Sequence, residues 1–200
     1  SVVLKAGSLV VNGNITEDAG GYGLAMMIEG GVVSGNGSIY ASRGIVNYGG
    51  VISPGDSIGT INITGDYTQD SQGMLSMEVA SAASNDLLAV TGKASLDGIL
   101  QTIWTGGATP AINSKFGDIL TASGGVNGQF SRLLTNITPT VLFRPKYDLA
   151  NRVYLVVERD YNNSNLMPFL NANQLAVGYM LNSVGNNATG DLNVVLTALD

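Results

Sequence analysis

The stretch "GGVVSGNGSI" at 30–39 returns nineteen residues later as "GGVISPGDSI" at 49–58, with six of ten letters identical in register. A looser relative, "GSLVVNGNI", lies upstream at 7–15. Each copy opens on glycine, runs through a short β-branched segment, turns at Asn, Gly or Asp, and resumes on an isoleucine. Strand and turn recurring at about twenty residues is the signature of stacked β-coils, because one coil cannot bury its own inward face. A β-sandwich with similar turns would not need the same register twice. The echo predicts a solenoid over 1–65, with Gly30–Ile39 and Gly49–Ile58 equivalent on adjacent coils and Ile39 stacked on Ile58.

Beyond Ile58 the period becomes two. Ile61 and Ile63 alternate with Asn62 and Thr64, and Leu75, Met77 and Val79 alternate with Ser76 and Glu78. Leu88 and Val90 precede a "TGK" turn, and Ala94, Leu96 and Leu100 follow it. Val153, Leu155 and Val157 oppose Tyr154, Val156 and Glu158. Between these strands, 104–118 carries Trp104, Gly106, Gly107 and Pro110 and reads as a long loop. The tail changes period: Leu192, Val195, Leu196 and Leu199 fall on one helical stripe with Asp191 at the N-cap position, after a hinge at "NNSN", 162–165. The chain starts at Ser1 without a secretory leader and stops at Asp200 in mid-pattern, so it reads as a piece of a longer protein.

Composition restricts the chemistry. The 200 residues include no cysteine and no histidine, which removes thiol chemistry, the usual neutral-pH base and the commonest transition-metal ligand. Nine Lys and Arg against fifteen Asp and Glu give a net charge of −6, and the cations are scattered, so nucleic acid is not an expected partner. Charged residues are only 12% of the chain and hydrophobic ones 44%, the balance of a chain that buries a large core. No apolar run approaches the roughly eighteen residues of a membrane helix.

The "GDS" at 55–57 has the letters of an esterase nucleophile block, but that chemistry needs a histidine base. A Pro-Gly turn explains it more simply, with Pro54 fixing φ and Gly55 supplying the left-handed position. Asp66, Asp86, Asp97, Asp118 and Glu78 lack the spacing of calcium-binding β-rolls or of an EF-hand loop and read as turn residues. Five sequons, at 14–16, 62–64, 136–138, 162–164 and 187–189, would mark glycan sites only in a eukaryotic secreted chain. Tyr22, Tyr40, Tyr48 and Tyr67 are candidates for a sugar-binding face. No catalytic, cofactor-binding or metal residue is assigned, and no enzyme activity is expected.

Taken in order, "GGVISPGDSIGTINITGDYTQ" (49–69), "GMLSMEV" (73–79), "DLLAVTGKASLDGIL" (86–100), "GDILTASGGVNGQF" (117–130), "VYLVVERDY" (153–161) and "NANQLAVGYML" (171–181) resemble the C-terminal part of an autotransporter passenger of type V secretion. The likeness runs from Gly49 to Leu199 and is carried by the series, not by any one piece. The motif positions are Pro54, Gly55, Ser57, Ile58, Gly59, Gly65, Asp66, Tyr67, Asp86, Leu88, Val90, Gly92, Leu96, Gly98, Phe130 and Tyr154.

The resemblance implies an all-β fold: right-handed parallel β-helix coils over 1–65, a β cap (autochaperone) over 66–161, and a short helical linker over 162–200 toward an outer-membrane barrel absent from this sequence. The cap's buried face is expected to hold Leu75, Met77, Val79, Leu88, Val90 and Leu96. The implied function is non-catalytic, capping and seeding the β-helix during export through periplasm and outer membrane to the bacterial surface. The implied partners are the upstream passenger and the barrel of the same chain, periplasmic chaperones or barrel-assembly machinery, and a host surface. An adhesin-like or tailspike-like solenoid binding a host surface is the alternative.

Overall fold

A computed structural model of the chain describes residues 1–17, 23–163, 165–198 and 200. Short strands follow one another in triplets. The first three triplets are β1 (Val2–Leu4), β2 (Ser8–Val10) and β3 (Asn14–Ile15); β4 (Met26–Ile28), β5 (Val32–Gly35) and β6 (Ser38–Tyr40); β7 (Ile45–Asn47), β8 (Val51–Pro54) and β9 (Thr60–Thr64). Then the strands lengthen. β10 (Tyr67–Gln69) and β11 (Met74–Ser81) come first, and β12 (Ser84–Asn85) folds back on β11. β13 (Leu87–Val90), β14 (Ala94–Leu96), β15 (Ile99–Trp104) and β16 (Lys115–Ala122) continue the series. β17 (Val126–Gly128), β18 (Arg132–Thr135), β19 (Val141–Leu149) and β20 (Arg152–Arg159) end the strand region, and α1 (Ala172–Gly185) and α2 (Gly190–Thr197) follow.

Three sheets result, in the orders β1-β4-β7-β10-β14-β17, β2-β5-β8-β11-β15-β18 and β3-β6-β9-β13-β16-β20-β19. Within each, consecutive triplets pair in parallel. A parallel pair needs a long crossover between its strands; here the crossover consists of the strands of the other two sheets, so its own backbone groups are paired as well.

Register puts like on like. Leu9, Val33, Ile52, Leu75, Leu100 and Leu133 form one continuous inward column. Ile15, Ile39, Ile63, Val90 and Ala122 form a second, and Met26, Ile45, Tyr67, Ala94 and Val126 a third. The chain is therefore mostly β, with parallel sheets and two short C-terminal helices.

The nineteen-residue echo holds through β5 and β8, where Val32 faces Val51 and Gly35 faces Pro54. It fails one strand later. Ile39 stacks on Ile63, not on Ile58, because residues 55–59 are looped out between β8 and β9. The matching "SI" letters thus belong to a strand in one copy and to a bend in the other.

No change of pairing marks position 65; parallel ladders run on to Thr135. The cleaner alternation after Ile58 reflects longer strands, not a new arrangement. The expected loop at 104–118 is shorter, because Trp104 closes β15 and Lys115 opens β16. Its path is set by Asn113 N–H donating to the Val157 carbonyl (2.8 Å) and Val157 N–H to that of Ser114 (3.0 Å).

The alternating positions are buried as expected, Leu75, Met77, Val79, Leu88, Val90 and Leu96 among them. Replacing Ile52 by Ala removes one rung of a column with neighbours above and below, and the site cannot collapse. Urea denaturation should show Ile52→Ala costing about 2–5 kcal/mol, and the outward Asn62→Ala no more than about 0.5 kcal/mol.

Candidate functional site

The parallel stack is closed at its C-terminal end. β20 pairs antiparallel with β16, and β19 antiparallel with β20, so the third sheet ends in a hairpin laid across the last triplets. Under it Trp104, Phe116 and Phe143 meet with ring centroids 5.8, 5.9 and 4.9 Å apart, the edge and tilted geometries that aromatic quadrupoles favour. Asn136, just past β18, continues the second sheet with its side chain: its carbonyl accepts from Trp104 N–H (2.5 Å) and its amide donates to the Trp104 carbonyl (3.1 Å).

The motif positions are spread along the stack and converge on no pocket. Gly55 has φ +84°, as the Pro54–Gly55 turn requires, and a Cβ there would strike the Ser57 carbonyl. Ser57 is exposed and Ile58 half-buried in the loop. Gly65 and Gly92 lie back to back, Gly92 N–H donating to the Gly65 carbonyl, and Asp66 accepts from Lys93 N–H at 2.8 Å. Gly98 takes the N–H groups of Ser131 and Arg132 on its carbonyl. Phe130 N–H donates to the Tyr147 hydroxyl (3.1 Å), and burial pushes that phenol up to about 12. Tyr154 donates to Asp148 (3.0 Å), and the Lys115 ammonium sits 3.9 Å from its ring centroid.

Of the four tyrosines proposed for a sugar-binding face, Tyr67 is in the core, its hydroxyl donating to Gln69 (2.8 Å), and desolvation raises its pKa. Tyr40 and Tyr48 are exposed, and Tyr22 lies outside the described residues. The carboxylates go to separate partners: Asp97 to Gly98 N–H, Asp118 to Arg152. Among the described residues no three acidic side chains gather.

Asp86 is the exception in character. Fully buried, it accepts Gly59 N–H on one oxygen (2.8 Å) and Glu78 N–H on the other (2.7 Å), tying the looped-out 55–59 segment to β11 and β13. Burial raises its pKa to about 6; the two N–H bonds oppose the rise and the Glu78 charge adds to it.

A second polar centre lies on β20, at a residue that no motif or period marks in the sequence. Arg159, on β20, is 2% exposed. Its Nε donates to Asp200 (2.7 Å), Nη1 to the Gly185 carbonyl (2.8 Å) and to Asn193, and Nη2 to Thr197 (3.0 Å). Its backbone exchanges bonds with the Asn186 amide. One guanidinium thus holds the last turn of α1, the side chains of α2 and the carboxylate beyond it, facing a cleft of about 490 Å³. Next to it Asn182 bridges Asp160 and the Tyr161 backbone, and Asp160 pairs with Arg144.

The helices differ from expectation in detail. α1 opens on Asn171 and Gln174 in a reciprocal capping box. The N-cap of α2 is Thr189, not Asp191, which falls in the first turn where its charge favours the helix dipole. The expected α2 stripe is not buried as a unit: Leu196 is covered, Leu192 and Val195 are exposed, and Leu199 lies outside the described residues.

Compared with known proteins, the chain matches no family model, and no curated protein is significantly similar to it.

Two outcomes test these polar centres. The folded-state pKa of Asp86 lies above the unfolded value, so its contribution to stability is full below about pH 4 and is lost as pH rises through 6. Between pH 7 and 4, wild type should gain about 2 kcal/mol relative to Asp86→Asn, read from paired urea titrations; equal pH profiles refute it. Arg159→Ala should strand Asp200 and release both helices. Limited proteolysis should then cut within 165–198 while the strand region stays protected.

Proposed function

We propose that this chain is a right-handed parallel β-helix with its C-terminal cap, and that it works as a non-catalytic folding and capping module at the end of an autotransporter passenger. The observation that carries the proposal is the contrast between the two ends. At one, the antiparallel β19–β20 hairpin covers the last apolar rungs. At the other, the first inward rung is open: Val2, which lies on Met26, is 44% exposed, and Leu9 and Ile15 are only half-buried. A stack with one finished and one unfinished end is suited to templating further coils on the unfinished side. The right hand follows from the strong preference of parallel crossovers for that sense.

In this reading the coils extend to Thr135, and the cap proper is the hairpin with the 105–114 loop. The region that folds first is the one with the longest strands, β11, β15, β16, β19 and β20. The helical tail leads toward an outer-membrane barrel, and the upstream passenger and the barrel are the partners, at the bacterial surface. A large side chain left bare on an open rung costs about 1.5–3 kcal/mol, so three or four of them equal the whole stability of an ordinary domain. A cap formed early removes that cost at one end.

Seeding makes a kinetic prediction. In stopped-flow refolding, Leu155→Ala in the cap should slow folding at least about ten-fold and leave unfolding nearly unchanged. Val33→Ala, far from the cap, should instead speed unfolding. The reverse assignment would sink the seeding role.

A further inference from the structure

The tail docks with its polarity reversed. Toward the β region it presents Gly178 and Gly185, the Asn182 amide and the acceptors of Arg159, and these, with Leu196, are what the tail buries. Away from it, among exposed polar residues such as Asn173, Gln174 and Ser183, the tail carries an apolar set: Phe169 is 82% exposed, and Val177, Met180 and Val184, at helical spacing i, i+3, i+7, form an outward stripe on α1. Beside that stripe runs a groove of about 350 Å³ walled by Leu166, Leu170, Val177 and Leu181. A helix ordinarily turns such a stripe inward.

We propose that this face is a self-association surface, through which two copies of the chain pair about a two-fold axis, with Phe169 of each entering the apolar groove of the other. Charge selects a second copy as the occupant. From 161 to 198 the only charged side chain is Asp191, whereas the whole chain carries −6. Two copies repel over most of their surface and can meet here without opposing or burying a charge. The absence of any Lys or Arg in the segment disfavours acidic partners and anionic lipid.

Shape points the same way. Leu166 and Leu170, which wall the groove, flank Phe169 in sequence, so knob and hole belong to one patch, the condition for an isologous contact. A buried aromatic anchor in a pocket is the usual energetic centre of such an interface. Nine large apolar side chains of the tail are exposed among the described residues. They leave on the order of 1,000 Å² open, and half of it, matched by a second copy, reaches the roughly 1,000 Å² a specific interface needs.

Sedimentation velocity on the intact chain tests this, independently of the autotransporter reading. Wild type should show a concentration-dependent monomer–dimer equilibrium, and Phe169→Glu should weaken it at least about ten-fold with unchanged circular dichroism. Val10→Lys, at the free strand edge, should leave it intact. Because the chain has no cysteine, Met180→Cys offers one thiol per copy, and a short bis-maleimide should join two copies through it. A monomer up to hundreds of micromolar would overturn the proposal, as would a dimer that survives Phe169→Glu or is lost with Val10→Lys, or failure to cross-link. Binding of a strictly monomeric chain to neutral phosphatidylcholine vesicles, abolished by Phe169→Glu, would overturn it by assigning the face to lipid.

Discussion

Everything in the strand region depends on vertical burial. A strand of three or four residues turns only one or two side chains inward, too few to pack against each other across the section of one triplet. The burial of Ile52 comes from Val33 on one side and Leu75 on the other, and each of those has the same requirement. Parallel register is what makes this possible, since it sets equivalent inward positions one above another at the strand spacing of about 4.8 Å. Loops can then vary without harm, provided the next strand returns to its column. Residues 55–59 do so: five looped-out residues change the sequence spacing from 19 to 24 between neighbouring ladders, yet Ile39 still meets an isoleucine.

The same dependence makes an end expensive, and the two polar centres of the chain lie where the repeat is broken. Asp86 sits where the 55–59 loop rejoins β9. Its carboxylate gives Gly59 N–H an acceptor, and a buried N–H without one would cost about 1–3 kcal/mol. The charge is held in a desolvated place, which is why its pKa rises even with two donors on it. At the last triplets the solution is a change of strand sense. An antiparallel hairpin needs no crossover, so β19 and β20 finish the third sheet with a tight turn, and Asn136 finishes the second with a side-chain amide in place of a peptide.

What could be read from the letters was what repeats at short range. Period-two alternation placed Leu75, Met77, Val79, Leu88, Val90 and Leu96 inside, because the pleat forces every second side chain to one face whatever the partner strand. The echo located β5 on β8 for the same reason. Ile58 was misplaced because letter identity cannot register an insertion that leaves the letters alike. Asp86 with Gly59, and Arg159 with Asp200, are 27 and 41 residues apart and belong to no period. Their side chains, read locally, are ordinary turn and surface residues. The N-cap of α2 lies two residues earlier, at Thr189, which makes no side-chain capping bond, and residue-type preference alone does not separate Thr189 from Asp191.

Arg159 explains how a helical tail can dock with its apolar side outward. Hydrophobic burial normally orients a surface helix, and here the apolar stripe of α1 faces the wrong way for that. The orienting energy has to come from directional bonds in a dry place, where a guanidinium with four of its donors occupied and its charge met by Asp200 is strong. Glycine at 178 lets the helix backbone approach Tyr161; a Cβ there would lie 3.1 Å from the Tyr161 carbonyl oxygen. Close approach and directional bonds together hold the tail in one orientation, so its apolar face is presented as a fixed surface and not as a collapsed one. A fixed apolar surface costs hydration in isolation and recovers that cost only on contact, which is the physical reason to seek its partner.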